Sequence, residues 1–234
     1  MEKIKWILNQ MPKNEDKNLA VMALDNVNQA RKFHRSFQYS VTPLAKLDGM
    51  AGQLGLGGLF VKDESYRFGL NAFKVLGGSF AMAKYIAKEM GKDVSEMTYD
   101  YLTSKKFRDD FGQATFFTAT DGNHGRGVAW AANKLGQKAV VHMPKGSTQT
   151  RFDNIAKEGA SVTIEELNYD DCVRLAAKEA AETPHGVIVQ DTAWDGYEEI
   201  PSWIMQGYGS MAGEAAEQLR EVSVNRPTHV FVQA

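Results

Sequence analysis

The hydrophobic positions of the chain form two kinds of segment, which alternate along most of its length. Short continuous apolar runs are typical of strands, whereas apolar residues that recur every three or four positions are typical of helices. The pattern predicts strands over residues 58–62, 115–119, 139–143, 161–164, 187–190 and 229–233. It predicts helices over residues 71–90, 128–135, 151–158, 169–182 and 204–222.

This alternation of strands and helices predicts an α/β fold. Helices between consecutive strands are typical of parallel βαβ units with right-handed crossovers. Short apolar strands such as 139–143 favour a sheet that is covered on both faces. The strand predicted over 229–233 stands at the end of the sequence. Because a buried parallel strand normally continues into a loop and a covering helix, we expect the chain to be part of a longer protein.

The composition indicates a globular protein without a strong charge bias. The 234 residues carry 27 basic and 29 acidic side chains, and this net charge of −2 favours neither nucleic acid nor an anionic membrane as a partner. No apolar run approaches the roughly 20 residues of a membrane span, and no signal-peptide pattern is recognisable. The single cysteine, Cys172, excludes an internal disulfide and fits a reducing compartment. We therefore expect a soluble, cytoplasmic protein.

Several widespread nucleotide-binding and catalytic motifs are absent from the sequence. It contains no Walker A, HExxH or GxSxG pattern, and the glycines at 122, 125 and 127 do not have the spacing of a dinucleotide fingerprint. The five histidines are scattered along the chain. We therefore expect no metal site.

The candidate chemistry follows the predicted strands, because open parallel sheets bind ligands beyond the carboxyl ends of their strands. The glycine-rich segment 120–127 follows one strand, and free N–H groups at a helix start there would bind an anion. Asp191 follows another strand. Lys74 lies near a predicted helix start among apolar neighbours, a setting that suits a Schiff-base nucleophile. Taken alone, such a lysine is more often a solvated surface group.

Together, these segments resemble the fold-type II pyridoxal-phosphate enzymes. The matching motifs occur in the family's order: the lysine segment at 60–67 and 71–78, the asparagine loop at 118–125, and the segments 140–144, 157–160 and 207–210. The resemblance implies a tryptophan synthase β-like architecture with pyridoxal 5'-phosphate as cofactor. It also implies that Lys74 forms the internal aldimine and that Asn123 hydrogen-bonds the ring oxygen of the cofactor.

Within these enzymes the chain looks most like the diaminopropionate ammonia-lyases. Asp121 separates these lyases from the serine and threonine dehydratases, which usually carry a serine-rich loop without an acid at this position. Segment 189–194 also looks like the corresponding segment of the lyases. The resemblance implies elimination of ammonia from 2,3-diaminopropionate to give pyruvate. It assigns Asp121 as the base for the D-substrate and Asp191 as the base for the L-substrate. Taken singly, Asp121 could equally be a helix N-cap and Asp191 a cap of a turn.

The same resemblance implies that Thr120, Gly122 and His124 hold the substrate carboxylate at a helix start. Simpler structural roles are open to two residues of this loop. Asn123 could be a left-handed turn residue, and His124 could be a satisfied core histidine. The ordered set of motifs is what favours the catalytic explanation.

The resemblance also divides the chain into two domains. It predicts a small inserted α/β domain over 87–191 and an incomplete large cofactor domain over 1–86 and 192–234. The family's phosphate-binding glycine loop would follow residue 234, and the family precedent is a homodimer. Two alternatives stay open: a serine or threonine dehydratase or β-replacing synthase of the same fold, and an inactive folded fragment that lacks the phosphate-binding loop.

Overall fold

The computed structural model describes residues 18–37 and 39–232, and their arrangement confirms the predicted α/β class. Residues 1–17, 38, 233 and 234, which belong to the predicted large domain, lie outside the described part. The domain boundaries at 86/87 and 191/192 stay a prediction. No helix of the described part has the length and apolar character needed to cross a membrane.

Nine α-helices and six strands follow one another along these described residues. The helices are α1 (Leu24–Arg35), α2 (Asp48–Gln53), α3 (Lys74–Glu89), α4 (Tyr99–Leu102), α5 (Lys105–Phe111), α6 (Asn123–Lys134), α7 (Gln149–Ala156), α8 (Tyr169–Glu182) and α9 (Glu199–Glu221). The strands are β1 (Leu44–Lys46), β2 (Phe60–Lys62), β3 (Thr115–Ala119), β4 (Lys138–Met143), β5 (Ser161–Ile164) and β6 (Gly186–Ile188). Short 3₁₀ helices cover Asn18–Met22, Glu64–Gly69 and Val94–Glu96.

Strands β3 to β6 form a parallel sheet in the order β5-β4-β3-β6. Helices α6, α7 and α8 connect successive strands, as the predicted βαβ pattern requires. Strand β3 lies between two neighbours, and its Phe116 is fully buried opposite Ala139 and Val187. Because neighbouring parallel strands end at the same edge, the segments that follow β3 and β6 leave the sheet side by side.

The expectation of parallel pairing is wrong for the strand predicted over 58–62. Strand β2 is antiparallel to β1, with Leu44 opposite Lys62 and Lys46 opposite Phe60. The segment between the two strands contains one six-residue helix, α2, and reverses the chain direction once, whereas a parallel crossover reverses it twice.

The prediction of a strand over 229–233 is also wrong for residues 229–232, which the structure describes. Residues 229–232 have no strand structure, and the side chains of Val230, Phe231 and Val232 are 74%, 89% and 81% exposed. A strand is stable only when its backbone groups pair with a neighbouring strand. No strand lies beside this segment among the described residues, so its apolar pattern alone does not produce one.

Helix α3 begins at Lys74, three residues later than the sequence pattern predicts. Asn71 has a left-handed backbone, with φ of 59°, which a right-handed helix cannot include. The helix therefore starts beyond this turn. Its first residue is Lys74 itself, so the lysine amine projects from a helix end and not from the middle of a helix.

Helices α3 and α9 approach each other closely because glycines lie at their crossing. A Cβ atom built on Gly207 would lie 2.3 Å from the carbonyl oxygen of Leu76 and 2.8 Å from the Cα of Gly77. A Cβ atom on Gly77 would in turn lie 2.5 Å from the Tyr208 ring. The close crossing therefore requires glycine, which has no side chain, at positions 77 and 207. The crossing also sets the position of Lys74 relative to α9.

A buried ionic cluster attaches the two-stranded sheet to α9. Glu214, whose side chain is completely buried, accepts hydrogen bonds from Arg67 Nη1 and Nη2 at 3.0 and 2.9 Å. It also accepts one from Lys62 Nζ at 2.6 Å, and Lys62 belongs to β2. A second carboxylate, Glu64, pairs with Arg67 at 2.8 Å. Buried charges are tolerated when they are paired and hydrogen-bonded, as these are.

We predict that Gly207→Ala destabilises the protein by about 1–3 kcal/mol, because the added methyl group overlaps backbone atoms of α3 that cannot move independently. The matched control is Gly52→Ala in α2, where a Cβ meets nothing within 4 Å. The control should be neutral or stabilising by about 0.5–1 kcal/mol, since alanine favours helix. Urea denaturation of both variants measures the difference. Equal midpoints would contradict the close packing of α3 on α9.

Candidate active site

Three segments meet at the carboxyl edge of the parallel sheet: the loop after β3, the loop after β6 and the start of α3. They form most of the wall of an open cleft of about 520 Å³. Its walls are formed by Lys74, Thr120, Asp121, Asn123, His124, Pro144, Tyr169 and Asp191. Six of the seven predicted site residues therefore line one cleft. The seventh, Gly122, lines a smaller pocket that shares Asp121 and Asn123 with it.

The centre of the cleft is an ion pair between Lys74 and Asp191. Lys74 Nζ lies 2.7 Å from Asp191 Oδ2, with the two side chains 33% and 15% exposed. The ammonium also lies 5.6 Å from the centre of the Tyr208 ring. Burial acts to raise the pKa of Asp191, whereas the hydrogen bond and the charge of Lys74 act to lower it. Asp191 therefore faces the lysine as a carboxylate and does not act as a simple turn cap.

Asp191 is aimed at Lys74 because the chain leaves the sheet just before it. The backbone pairing of β6 with β3 ends at Ile188, opposite Phe117. Beyond that pair, the side chain of Gln190 makes the next hydrogen bond to β3. Gln190 Oε1 accepts the N–H of Ala119 at 3.0 Å, a hydrogen bond that a strand carbonyl would otherwise accept. Gln190 Nε2 donates to the Tyr169 hydroxyl at 2.8 Å. Its backbone is thereby free to turn towards the cleft.

The turned backbone of Gln190 is held by Tyr197. The Tyr197 hydroxyl accepts the N–H of Gln190 at 2.7 Å and donates to the carbonyl of Ile188 at 3.0 Å. Burial raises the pKa of Tyr197, which keeps the hydroxyl protonated and able to donate. The ring of Tyr197 stacks on Trp194, with the ring centres 4.1 Å apart. This loop therefore closes back on the strand end that carries Asp191.

The loop after β3 forms a tight turn into α6, which begins at Asn123, five residues earlier than predicted. The Thr120 hydroxyl accepts the N–H of Gly122 at 3.0 Å. A Cβ on Gly125 would lie 2.2 Å from Thr120 Cγ2, so glycine is required there. The first N–H groups of a helix have no partners within it, so this turn can bind an anion. Gly122, not Asp121, occupies the N-cap position.

Asp121 does not contact Lys74, in contrast to Asp191. Its side chain is 71% exposed and its Oδ2 lies 3.5 Å from Arg151 Nη1 on α7. The carboxylate lies between the cleft and the smaller pocket of about 140 Å³ beside it. The two predicted bases therefore have different surroundings, one enclosed and paired with the lysine, the other open to solvent.

His124 is buried, and only one of its ring nitrogens has a hydrogen bond. Nε2 lies 2.8 Å from the carbonyl oxygen of Val189, while Nδ1 has no partner among the described residues and lies 3.6 Å from Asp191 Oδ2. Burial lowers the pKa of His124, against the opposing effects of Asp191 and of the Val189 carbonyl. The explanation as a satisfied core histidine accounts for one nitrogen and not for the other.

The sequence interpretation missed Tyr169, Gln190 and Tyr208. Tyr169 lines the cleft, and burial together with nearby Asp191 raises its pKa. Tyr208 packs its ring edge-on to Phe73, with its buried hydroxyl unpaired among the described residues. The one signal in the sequence was the polar Gln190 at the end of an apolar strand, because a polar residue there needs hydrogen-bond partners.

We predict that Tyr197→Phe destabilises the protein by about 1–3 kcal/mol, because the buried N–H of Gln190 loses its acceptor. Tyr66→Phe is the matched control, since Tyr66 is 66% exposed, and a surface change of this kind shifts stability by about 0.5 kcal/mol or less. Chemical denaturation followed by circular dichroism compares the two variants. Equal losses would show that the hydroxyl of Tyr197 does not hold the turn.

The chain is similar to proteins of known function. The family described as "Pyridoxal-phosphate dependent enzyme" matches residues 35–234. The diaminopropionate ammonia-lyase of Salmonella typhimurium is 50% identical over 236 residues, covering 100% of this chain and 58% of that protein. The enzyme of the same name from Escherichia coli is 50% identical over 208 residues, covering 88% of this chain and 50% of that protein.

The solved structures agree with this. The apo form of Escherichia coli diaminopropionate ammonia lyase superimposes with a TM-score of 0.84 at 49% identity, covering 92% of this chain and 57% of that one. The chain thus spans between 50% and 58% of the length of these relatives. The family match covers most of the sequence and the fold agrees with it. The chain belongs to the pyridoxal-phosphate dependent enzyme family, with the fold-type II architecture that its motifs predicted.

Proposed function

We propose that this chain carries catalytic residues of a pyridoxal-phosphate dependent lyase that eliminates ammonia from 2,3-diaminopropionate, giving pyruvate and ammonia. The observation that carries the proposal is the Lys74–Asp191 pair at 2.7 Å in a cleft that a second acid, Asp121, also lines. The relatives named diaminopropionate ammonia-lyase support the choice of substrate.

The residues of the cleft fit an aldehyde cofactor. The Lys74 amine is one-third exposed, stands at a helix start and borders open space, as a lysine that bonds an aldehyde must. Asn123 is exposed at the same cleft and is the residue we propose for the cofactor's ring oxygen. When bound, pyridoxal phosphate supplies the electron sink that stabilises negative charge at the substrate Cα.

The two acids suit proton removal from either enantiomer. In the L-substrate, Asp191 takes the Cα proton on Oδ2, the oxygen that Lys74 contacts. In the D-substrate the proton points to the opposite face, and Asp121 takes it from the mouth of the cleft. Each carboxylate is proposed as a general base for one face of the substrate. Two enantiomers thus require two bases on two separate loops.

The loop from Thr120 to His124 is the proposed site for the substrate carboxylate. The backbone N–H groups in the first turn of α6, directly after Gly122, would bind the anion at the positive end of the helix dipole. Side-chain hydrogen bonds already engage the Thr120 hydroxyl and His124 Nε2, so their contribution is to shape the loop.

The acids also favour a diamino substrate over a hydroxy substrate. A carboxylate attracts the β-ammonium group of diaminopropionate more strongly than it attracts the neutral hydroxyl of serine. A hydroxy-amino-acid dehydratase or a β-replacing synthase is the second hypothesis, and turnover of serine or threonine in preference to diaminopropionate would favour it.

The assembly and the location of the protein are further proposals. A homodimer is expected from the family resemblance. A cytoplasmic location is expected because the sequence has one cysteine, Cys172, which is buried and forms no disulfide.

Our first test of this function is reductive trapping at Lys74. After incubation with pyridoxal phosphate and borohydride, peptide mapping should find one pyridoxyl group, on Lys74, because this amine faces the cleft. Lys74→Ala should lose the adduct, while Lys145→Ala, which removes a 68% exposed surface lysine, should keep it. Label scattered over surface lysines, or no label, would favour the hypothesis of a fragment without a formed cofactor site.

The second test separates the two acids. We predict that Asp191→Asn lowers kcat for the L-enantiomer by about 10²–10⁴-fold and that Asp121→Asn does so for the D-enantiomer, because each variant removes one general base. Pyruvate release from each enantiomer, measured with the cofactor-loaded enzyme, gives the four rates. Equal losses on both enantiomers for either variant would contradict the assignment of one base to each face.

A further inference from the structure

The geometry around His124 determines which of its nitrogens carries the proton. Nε2 lies 2.8 Å from the carbonyl oxygen of Val189, which can only accept a hydrogen bond. Nε2 therefore carries hydrogen. In a neutral imidazole the other nitrogen, Nδ1, is then a bare acceptor. The side chain is only 5% exposed, so this nitrogen is not supplied with a donor by bulk solvent.

The bare nitrogen faces another acceptor. Among residues 18–37 and 39–232, no donor lies within hydrogen-bond distance of Nδ1, and Asp191 Oδ2 lies 3.6 Å away. The same Oδ2 contacts Lys74 Nζ at 2.7 Å from another direction. A buried acceptor without a donor is unfavourable. When Oδ2 carries a proton, the pair becomes a donor and an acceptor, and the acid can donate to Nδ1 once the 3.6 Å separation closes to hydrogen-bond distance.

We infer that Nδ1 of His124 accepts a hydrogen bond from the Asp191 carboxyl once Asp191 has taken the Cα proton of the L-substrate. His124 is thus a positioning residue for this base. The inference rests on the proposed function, because Asp191 must act as the base. The Cα–H bond breaks, its electron pair stays with the substrate carbon, and the proton forms the O–H bond on Oδ2. That O–H then points to Nδ1, and no other reactant is needed.

The two acids differ in their need for such an acceptor. Asp121 is 71% exposed, so water can accept a hydrogen bond from its protonated form. Asp191 is 15% exposed and enclosed by protein. A proton on Asp191 is therefore stabilised mainly by acceptors within the protein, and His124 Nδ1 lies 3.6 Å from its Oδ2. The contribution of His124 should therefore be specific to the L-enantiomer.

A simpler role for His124 is to anchor the loop that starts α6 to Val189. Two variants separate this role from the proposed one. His124→Gln places an amide N–H near the position of Nε2, so it keeps a donor for the Val189 carbonyl and removes the Nδ1 acceptor. His124→Asn places its amide oxygen near the position of Nδ1, so it keeps an acceptor for Asp191 and loses the anchor.

The first experiment needs no turnover. Long-range ¹H–¹⁵N NMR of the histidine rings in the cofactor-free protein, assigned with His124→Gln, should show His124 as the neutral Nε2–H tautomer at pH 7. In Asp191→Asn the new amide can donate to Nδ1, so the Nδ1 resonance should move. A neutral Nδ1–H tautomer, an imidazolium at pH 7, or an unmoved Nδ1 resonance would overturn the inference.

The second experiment uses the cofactor-loaded enzyme and both enantiomers of diaminopropionate. We expect His124→Gln to lower kcat for the L-enantiomer by about 10- to 100-fold, as for a lost hydrogen bond to an ionisable group, and to lower it several-fold less for the D-enantiomer. His124→Asn should recover part of the L-rate. Equal losses on both enantiomers, or no recovery, would mean that His124 only anchors the loop.

The two experiments distinguish the failure of this inference from the failure of the proposed function. If the wild-type enzyme turns over neither enantiomer, the proposed function and the positioning role of His124 both fall. The contact between Nδ1 and Asp191 is then decided by the NMR result. If the wild type is active and His124→Gln is not selective, the proposed function stands and the inference falls.

Discussion

The site depends on how β6 leaves the parallel sheet without losing its hydrogen bonds. A strand that turns away leaves backbone N–H and C=O groups that must find other partners when they are buried. Here two side chains supply them: the amide of Gln190 accepts from Ala119, and the hydroxyl of Tyr197 serves Gln190 and Ile188. Because these side chains replace the lost backbone hydrogen bonds, Asp191 can point at Lys74, 2.7 Å away, from the end of an otherwise regular sheet.

The lysine that meets Asp191 is positioned by a separate part of the fold. Asn71 adopts a left-handed turn, so α3 starts at Lys74, and Gly207 allows α9 to lie directly against α3. Two turns further along α9, Glu214 pairs with Arg67 and so attaches the two-stranded sheet. The amine and the carboxylate therefore come from elements that are fixed independently, and the cleft forms where they meet.

Much of the fold was predictable because the strands and helices have clear hydrophobic patterns. The four parallel strands were predicted from their apolar runs, and the run is most continuously buried in β3, which has a neighbour on each side. The pattern failed where a neighbouring element decides the structure. Strand β2 pairs antiparallel with β1 after a connection too short for a parallel crossover. Residues 229–232 form no strand, and no strand lies beside them among the described residues.

The sequence by itself determined the α/β class, the family and six of the eight residues that line the cleft, because these depend on local pattern and on ordered motifs. Only the tertiary structure decided how the two acids differ: Asp191 is enclosed and paired with Lys74, whereas Asp121 is exposed beside Arg151. Only the tertiary structure places His124 Nδ1 opposite Asp191 and shows that Gln190 replaces the strand hydrogen bond where the chain turns away from the sheet. The physical reason is that burial and hydrogen-bond partners arise from segments more than 60 residues apart, which no local pattern records.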